Sequence, residues 1–169
     1  EAWSALKPRT FLIDALDDVD HGAAVVIRAH GVRPDVLDRA NSRGLDVIDG
    51  TCTWVIQEQK ELVRLVDEGY TIVLLGTPKH PEVVGLLGFA PDAIVVDEED
   101  EWEAAIPRRK RMALISQSTQ PPWKFERLAA FLTTSPRLLE QELTEEMAAA
   151  FGPEASDPIA VHIRRWGVD

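Results

Sequence analysis

His30, Cys52, His80, Glu82, Ser118 and Thr119 are the side chains of this 169-residue sequence whose types and placement could do chemistry. The stretch "LLGTPKHPEVVG" (74–85) ends an aliphatic run in a loop holding Pro78, His80, Pro81 and Glu82. Two prolines so close together bar a regular element there. His80 and Glu82 put an imidazole and a carboxylate, both able to carry protons, at the mouth of a strand. Cys52 opens a helical stretch, where the dipole and free N–H groups favour a thiolate. His30 precedes Gly31 at the end of another aliphatic run, and Ser118 and Thr119 close the stretch "SQST".

Each of these residues also has a reading without chemistry. His30 can cap a turn, and Cys52 can be a small buried hydrophobe. Glu82 can be a favourable acid at a helix start. "SQST" can be a hydroxyl run that initiates a helix ahead of Pro121 and Pro122. His21 and His162 have no supporting context and read as surface or structural residues.

The elements that must position these groups alternate along the chain. "AAVVIRAHG" (23–31) reads as a buried strand running into a loop, and "RPDVLDRANSRG" (33–44) as a helix with Pro34 in its first turn and Gly44 past its end. "LDVIDGTC" (45–52) is a second strand. "TWVIQEQKELVRLVDEG" (53–69) is a helix with Thr53 as N-cap, Gly69 as its stop, and an apolar face of Val55, Leu62, Val63, Leu65 and Val66. "YTIVLLG" (70–76) is apolar at nearly every position, as a strand covered on both faces should be. A short helix follows the His80 loop. "AIVVD" (93–97) and "RMALISQST" (111–119) read as strands, and "EEDEWEAAI" (98–106) and "PPWKFERLAAFLTT" (121–134) as helices. This alternation predicts an α/β fold of parallel sheets flanked by helices, with right-handed crossovers. The segment 135–169 supplies a helix and one strand, "IAVHI", without a chemical motif. In parallel sheets ligands bind beyond the carboxyl ends of the strands, so the loops carrying His30, Cys52, His80–Glu82 and Ser118–Thr119 should share one edge.

Composition narrows the function. A formal charge of -11 and a pI of about 4.8 argue against general nucleic-acid or anionic-membrane binding. The basic run Pro107–Arg111 reads as a solvated connection. One cysteine excludes an intrachain disulfide and fits a reducing, cytoplasmic setting. No signal peptide or membrane-spanning apolar stretch is evident. The chain starts at Glu1 without an obvious beginning, which reads as a processed product or a fragment.

Four motifs, "AHGV" (29–32), "DGTC" (49–52), "HPEVVG" (80–85) and "SQST" (116–119), resemble in order and spacing the 4-hydroxy-3-methylbut-2-enyl diphosphate reductase family. The resemblance covers roughly residues 11–134. It implies an iron–sulfur oxidoreductase of the methylerythritol phosphate route to isoprenoids. Such an enzyme reductively dehydroxylates its allylic diphosphate substrate to isopentenyl and dimethylallyl diphosphate, with electrons from a donor such as ferredoxin or flavodoxin. It also implies three pseudo-symmetric α/β units around a [4Fe-4S] cluster, about two of which this chain would carry. These would be a partial first unit (1–51), a second unit (52–134) and an atypical C-terminal tail (135–169). By the same resemblance Cys52 matches a cluster ligand, and His30 and His80 match substrate-diphosphate contacts. Glu82 matches the proton-delivering acid, and Ser118, with Thr119 beside it, a hydroxyl near the departing alcohol. The chain departs from the family in having one cysteine where three are used, and in Gly50, Thr53 and Val84. The leading expectation is therefore a partial reductase chain, inactive alone. The alternatives are a non-catalytic diphosphate-binding or interaction module, and a trimer that would bring three Cys52 thiolates together.

Overall fold

The computed structural model describes residues 12–13, 15–107 and 111–135, and the backbone of 160–163. A single 3-10 turn, Leu16–Asp18, precedes the regular elements. The strands are β1 (Ala24–Ile27), β2 (Asp46–Asp49), β3 (Thr71–Leu75), β4 (Ile94–Val96), β5 (Arg111–Ser116) and β6 (Ala160–Ile163). The helices are α1 (Pro34–Ser42), α2 (Thr53–Asp67), α3 (Pro81–Leu87), α4 (Glu99–Ala105) and α5 (Pro122–Thr134). All strand pairs are parallel and form two sheets, β1-β2 and β4-β3-β5-β6. The expected α/β class of parallel sheets flanked by helices is therefore the observed one.

The second sheet is built from strands that are apolar on both faces. From Ile72 to Leu75 and from Met112 to Ile115 every side chain is buried. One face packs against Trp102, Phe125, Leu128 and Leu132 of α4 and α5, and the other against Leu62, Leu65, Val83 and Leu86 of α2 and α3. Helices on both faces are what a parallel sheet needs to remove its apolar surface from water. The first sheet differs. Val25 and Ile27 pack with Leu16, Ala40 and Leu45, but the register partners Val26 and Ile48 stay 57% and 53% exposed on the opposite face.

Local details differ from the sequence reading at two points on α2. Thr53 is its first helical residue rather than its N-cap; Cys52 takes the cap position, with extended backbone and no side-chain cap bond. Val63 and Val66 are exposed, so the inner face is Val55, Glu58, Glu61, Leu62 and Leu65. Two acidic residues hold positions that a periodicity argument assigns to aliphatic ones. Pro34 opens α1 as expected, and Gly44 and Gly69 follow their helices with φ of 66° and 79°, a conformation that favours glycine. Ala160–Ile163, within "IAVHI", pairs with β5. The basic residues 108–110, the rest of the tail and the side chain of His162 lie outside the described residues. Among the described residues no helix is long and apolar enough to cross a membrane.

Candidate functional site

The order β4-β3-β5 fixes where a ligand can enter. The chain leaves β3 towards β4 on one side and returns to β5 on the other. The loops beyond the carboxyl ends of β3 and β5 therefore lie at a topological switch point, where parallel sheets form their ligand crevice. The loop after β3 carries His80 and Glu82, and the loop after β5 carries Ser118 and Thr119.

Gly76 starts the first loop because nothing larger fits: a Cβ there would lie 2.7 Å from Val83 Cγ2 and 3.1 Å from Gln117 Cβ. The chain then turns, with the His80 N–H bonded to the Thr77 carbonyl at 2.9 Å. His80 is the N-cap of α3, and its Nδ1 accepts the Glu82 N–H at 3.2 Å. Pro81 follows at the first helical position, where its missing N–H costs nothing. An Nδ1 that accepts a hydrogen bond carries no proton. With Nδ1 engaged as an acceptor, Nε2 is the ring nitrogen left to donate.

Glu82 is 1% exposed. Its Oε1 accepts the Ser118 N–H at 2.5 Å and its Oε2 is 2.8 Å from Ser118 Oγ. The buried carboxyl therefore bridges the crevice, and the half-buried Ser118 stands between it and the open side. Gln117 braces the same loop. Its N–H bonds Leu75 O at 2.8 Å, its Oε1 accepts the Thr77 N–H at 3.1 Å, and its Nε2 donates to Thr119 Oγ1 at 2.6 Å. Beneath these loops the Lys124 ammonium bonds Asp97 Oδ1 at 2.5 Å, and Thr77 Oγ1 donates to Asp97 Oδ2 at 2.8 Å. Burial pushes the Asp97 carboxyl up, but the bonds from Lys124 and Thr77 outweigh it and bring the carboxyl below its usual range.

The first sheet delivers His30 to the same place. Gly31 turns with φ of 70°, and its N–H bonds Arg28 O at 2.9 Å. The turn is pressed between two helices. A Cβ on Gly31 would lie 2.7 Å from Gln59 Nε2 and 3.5 Å from Val55 Cγ1, while Gly85 of α3 faces His30 O. The rings of His30 and His80 meet edge to face, with centroids 5.3 Å apart and planes at 81°. His30 Nδ1 is buried without a hydrogen-bond partner among the described residues, a polar atom free to meet a ligand. Cys52 is half-buried, and its N–H bonds Ala29 O at 2.9 Å, fastening the start of α2 to the His30 turn.

His30, His80, Glu82 and Ser118 thus form one connected group. Cys52 joins it through backbone, and the exposed Thr119 through Gln117. Sequence reasoning missed Gln117 and Glu58. Glu58 is 1% exposed on the inner face of α2, and burial pushes its carboxyl up to about 9, with the charge of Glu82 adding to the effect. The signal for Glu58 was its place three residues after Val55 and four before Leu62, on the apolar face.

A thiolate at Cys52 suits iron, but a cluster takes several such donors. Among the described residues no group of three His, Cys, Asp or Glu side chains is placed to hold a metal ion. The residues present fit one ligand of an iron–sulfur cluster and not a complete site.

The model of the family described as LytB protein matches residues 7–147. The 4-hydroxy-3-methylbut-2-enyl diphosphate reductase of Tropheryma whipplei is 39% identical over 115 residues, 67% of this chain and 37% of that protein. The protein of the same name from a Nitratiruptor species is 31% identical over 121 residues, 72% of this chain and 44% of its own. A solved structure of (E)-4-hydroxy-3-methyl-but-2-enyl diphosphate reductase superposes with a TM-score of 0.69 at 26% identity, covering 96% of this chain and 51% of that one. The Plasmodium falciparum E-1-hydroxy-2-methyl-but-2-enyl-4-diphosphate reductase shares the fold, with a TM-score of 0.71 at 24% identity over 80% of this chain and 44% of its own. The chain spans less than half the length of the curated relatives it matches.

Proposed function

This chain belongs to the LytB protein family, and we propose that it supplies the diphosphate-binding and proton-delivering part of a 4-hydroxy-3-methylbut-2-enyl diphosphate reductase. The whole reaction replaces the allylic hydroxyl by hydrogen and gives isopentenyl and dimethylallyl diphosphate. The single observation that carries the reading is the cluster these loops bring together: paired imidazoles, and beside them a buried carboxyl tied to a serine hydroxyl.

The division of labour follows from these contacts. A diphosphate is held by N–H donors. His80 offers Nε2–H because its Nδ1 is already engaged, and His30 has an unengaged ring nitrogen beside it. Departure of the hydroxyl as water needs a proton. Glu82 is too buried to reach a substrate directly, so its proton passes to Ser118 Oγ at 2.8 Å as Ser118 releases its own to the leaving oxygen. Thr119 lies beside that path and Gln117 fixes its hydroxyl. A family-type [4Fe-4S] cluster would supply electrons and a Lewis-acidic iron. Cys52 would be one of its ligands; the remaining donors, and a ferredoxin- or flavodoxin-type electron source, are not among the described residues.

Calorimetric titration of the chain with 4-hydroxy-3-methylbut-2-enyl diphosphate tests the proposal. Binding that weakens about tenfold in His80→Ala is expected, the worth of one hydrogen bond to a charged group. Heat indistinguishable from dilution in the parent chain would remove the reading. Binding in a full-length relative that catalyses no reduction would favour a diphosphate-binding module instead.

A further inference from the structure

Gln117 ties the loop after β5 to the loop after β3, and its amide can sit only one way round. The residue is 4% exposed. Its backbone N–H bonds Leu75 O at 2.8 Å and its carbonyl accepts the Gln120 N–H at 3.0 Å, so the main chain is fixed on both sides. The side-chain oxygen accepts the Thr77 N–H at 3.1 Å. A backbone N–H only donates, so the atom facing it must be the oxygen, and the amide nitrogen must face the other way. A Cβ at position 76 would stand 3.2 Å from that oxygen, so Gly76 keeps the space that the amide needs. The nitrogen then donates to Thr119 Oγ1 at 2.6 Å.

We propose that Gln117 is a positioning residue that sets the direction of the Thr119 hydroxyl, turning it outward as a donor to an anionic ligand oxygen. This role rests on the reading of these loops as a diphosphate site. An amide nitrogen donates and does not accept, so Thr119 cannot return the bond and its hydroxyl hydrogen must turn elsewhere. Among the described residues no acceptor takes it, and Thr119 is exposed. A free threonine hydroxyl donates or accepts as its neighbour requires. One whose lone pair is already occupied by an amide N–H is set to donate, and it meets an ionised phosphate oxygen without first having to reorient. The same amide reaches His80. Thr77, whose N–H it accepts, in turn accepts the His80 N–H at 2.9 Å through its carbonyl. One buried group thus sets both the turn that leads to the imidazole and the hydroxyl on the loop after β5.

The first test needs no ligand. In the whole 169-residue chain the Thr119 hydroxyl proton should exchange with water too fast to give a proton NMR resonance. In Gln117→Glu at alkaline pH, the ionised carboxylate still accepts the Thr77 N–H but offers a second acceptor where the amide offered a donor. The hydroxyl should then turn inward and a protected resonance should appear. A protected Thr119 hydroxyl in the parent chain would overturn the proposal, whether or not the variant folds. So would its absence in a folded Gln117→Glu. The second test is calorimetric titration with 4-hydroxy-3-methylbut-2-enyl diphosphate. Thr119→Val should weaken binding about tenfold in the parent, the worth of one hydrogen bond to a charged group. In Gln117→Glu the same change should cost less than about twofold, because the charge added at position 117 is common to both members of the pair and cancels. His80→Ala should still cost about tenfold in Gln117→Glu, which a collapsed loop would not allow. Equal losses for Thr119→Val in the two backgrounds would overturn the proposal. A parent chain that binds no diphosphate would count against the functional reading alone, since the direction of the hydroxyl is judged without ligand.

Discussion

The imidazole of His80 faces two ways: its Nδ1 closes the first turn of α3 through the Glu82 N–H at 3.2 Å, and its ring meets that of His30 at 5.3 Å. One side chain thus serves the fold and the crevice, and the two services can be separated.

His80→Ala removes the cap, and His80→Asn replaces it with another good one. The alanine variant should lose about 1 kcal/mol of stability in denaturant unfolding. The asparagine variant should keep most of it. Both should bind the allylic diphosphate more weakly than the parent. If asparagine restored binding as well as stability, the Nε2–H donor would have no part in holding the anion.

The Glu82–Ser118 pair predicts a kinetic separation in a complete enzyme carrying these residues. Ser118→Ala deletes the hydroxyl but leaves the backbone N–H on Oε1. Glu82→Gln keeps a polar bridge and removes the proton. Each should slow reduction by about a hundredfold and shift substrate affinity by less than about threefold, since the lost interaction belongs to the proton transfer. Normal turnover in Glu82→Gln would exclude the carboxyl as the acid.

Stability should depend on pH through Glu58. The folded chain keeps this proton up to about pH 9, whereas the unfolded chain releases it near the ordinary value of 4.5. The folded state therefore binds more protons across that window. The stabilisation is complete below it and is lost as pH rises, at up to about 1.4 kcal/mol per pH unit. Glu58→Gln should flatten the slope in denaturant titrations repeated across that window.

Much of this arrangement was legible in the sequence because it is local. Aliphatic runs marked β1, β3 and β5, and the prolines and glycines marked where helices begin and end. His30, Cys52, His80, Glu82 and Ser118 stood out because each lies at the end of an apolar run, where parallel strands deliver their loops. What the sequence concealed depends on distant partners. Nothing in "SQST" says that Gln117 reaches back 40 residues to the Thr77 N–H. Nothing in "HPE" says that the histidine ring is tied by its Nδ1 to the backbone N–H two residues on. Glu58 looked like one more acid on an amphipathic helix, because periodicity reports where a residue points and not what it meets there. Val63 and Val66 erred the other way: both are aliphatic, yet both face outward.

The bond between Glu82 and Ser118 spans 36 residues, and β5 must be seated beside β3 before it can form. Helix α3 and its histidine cap need only the neighbouring chain. During refolding, helical signal should therefore precede the appearance of the protected Ser118 amide, because non-local strand pairing is the slow event in such topologies. The crevice is accordingly a late product of folding, and a peptide of residues 74–90 would carry His80 and Glu82 without the contact that joins them to Ser118.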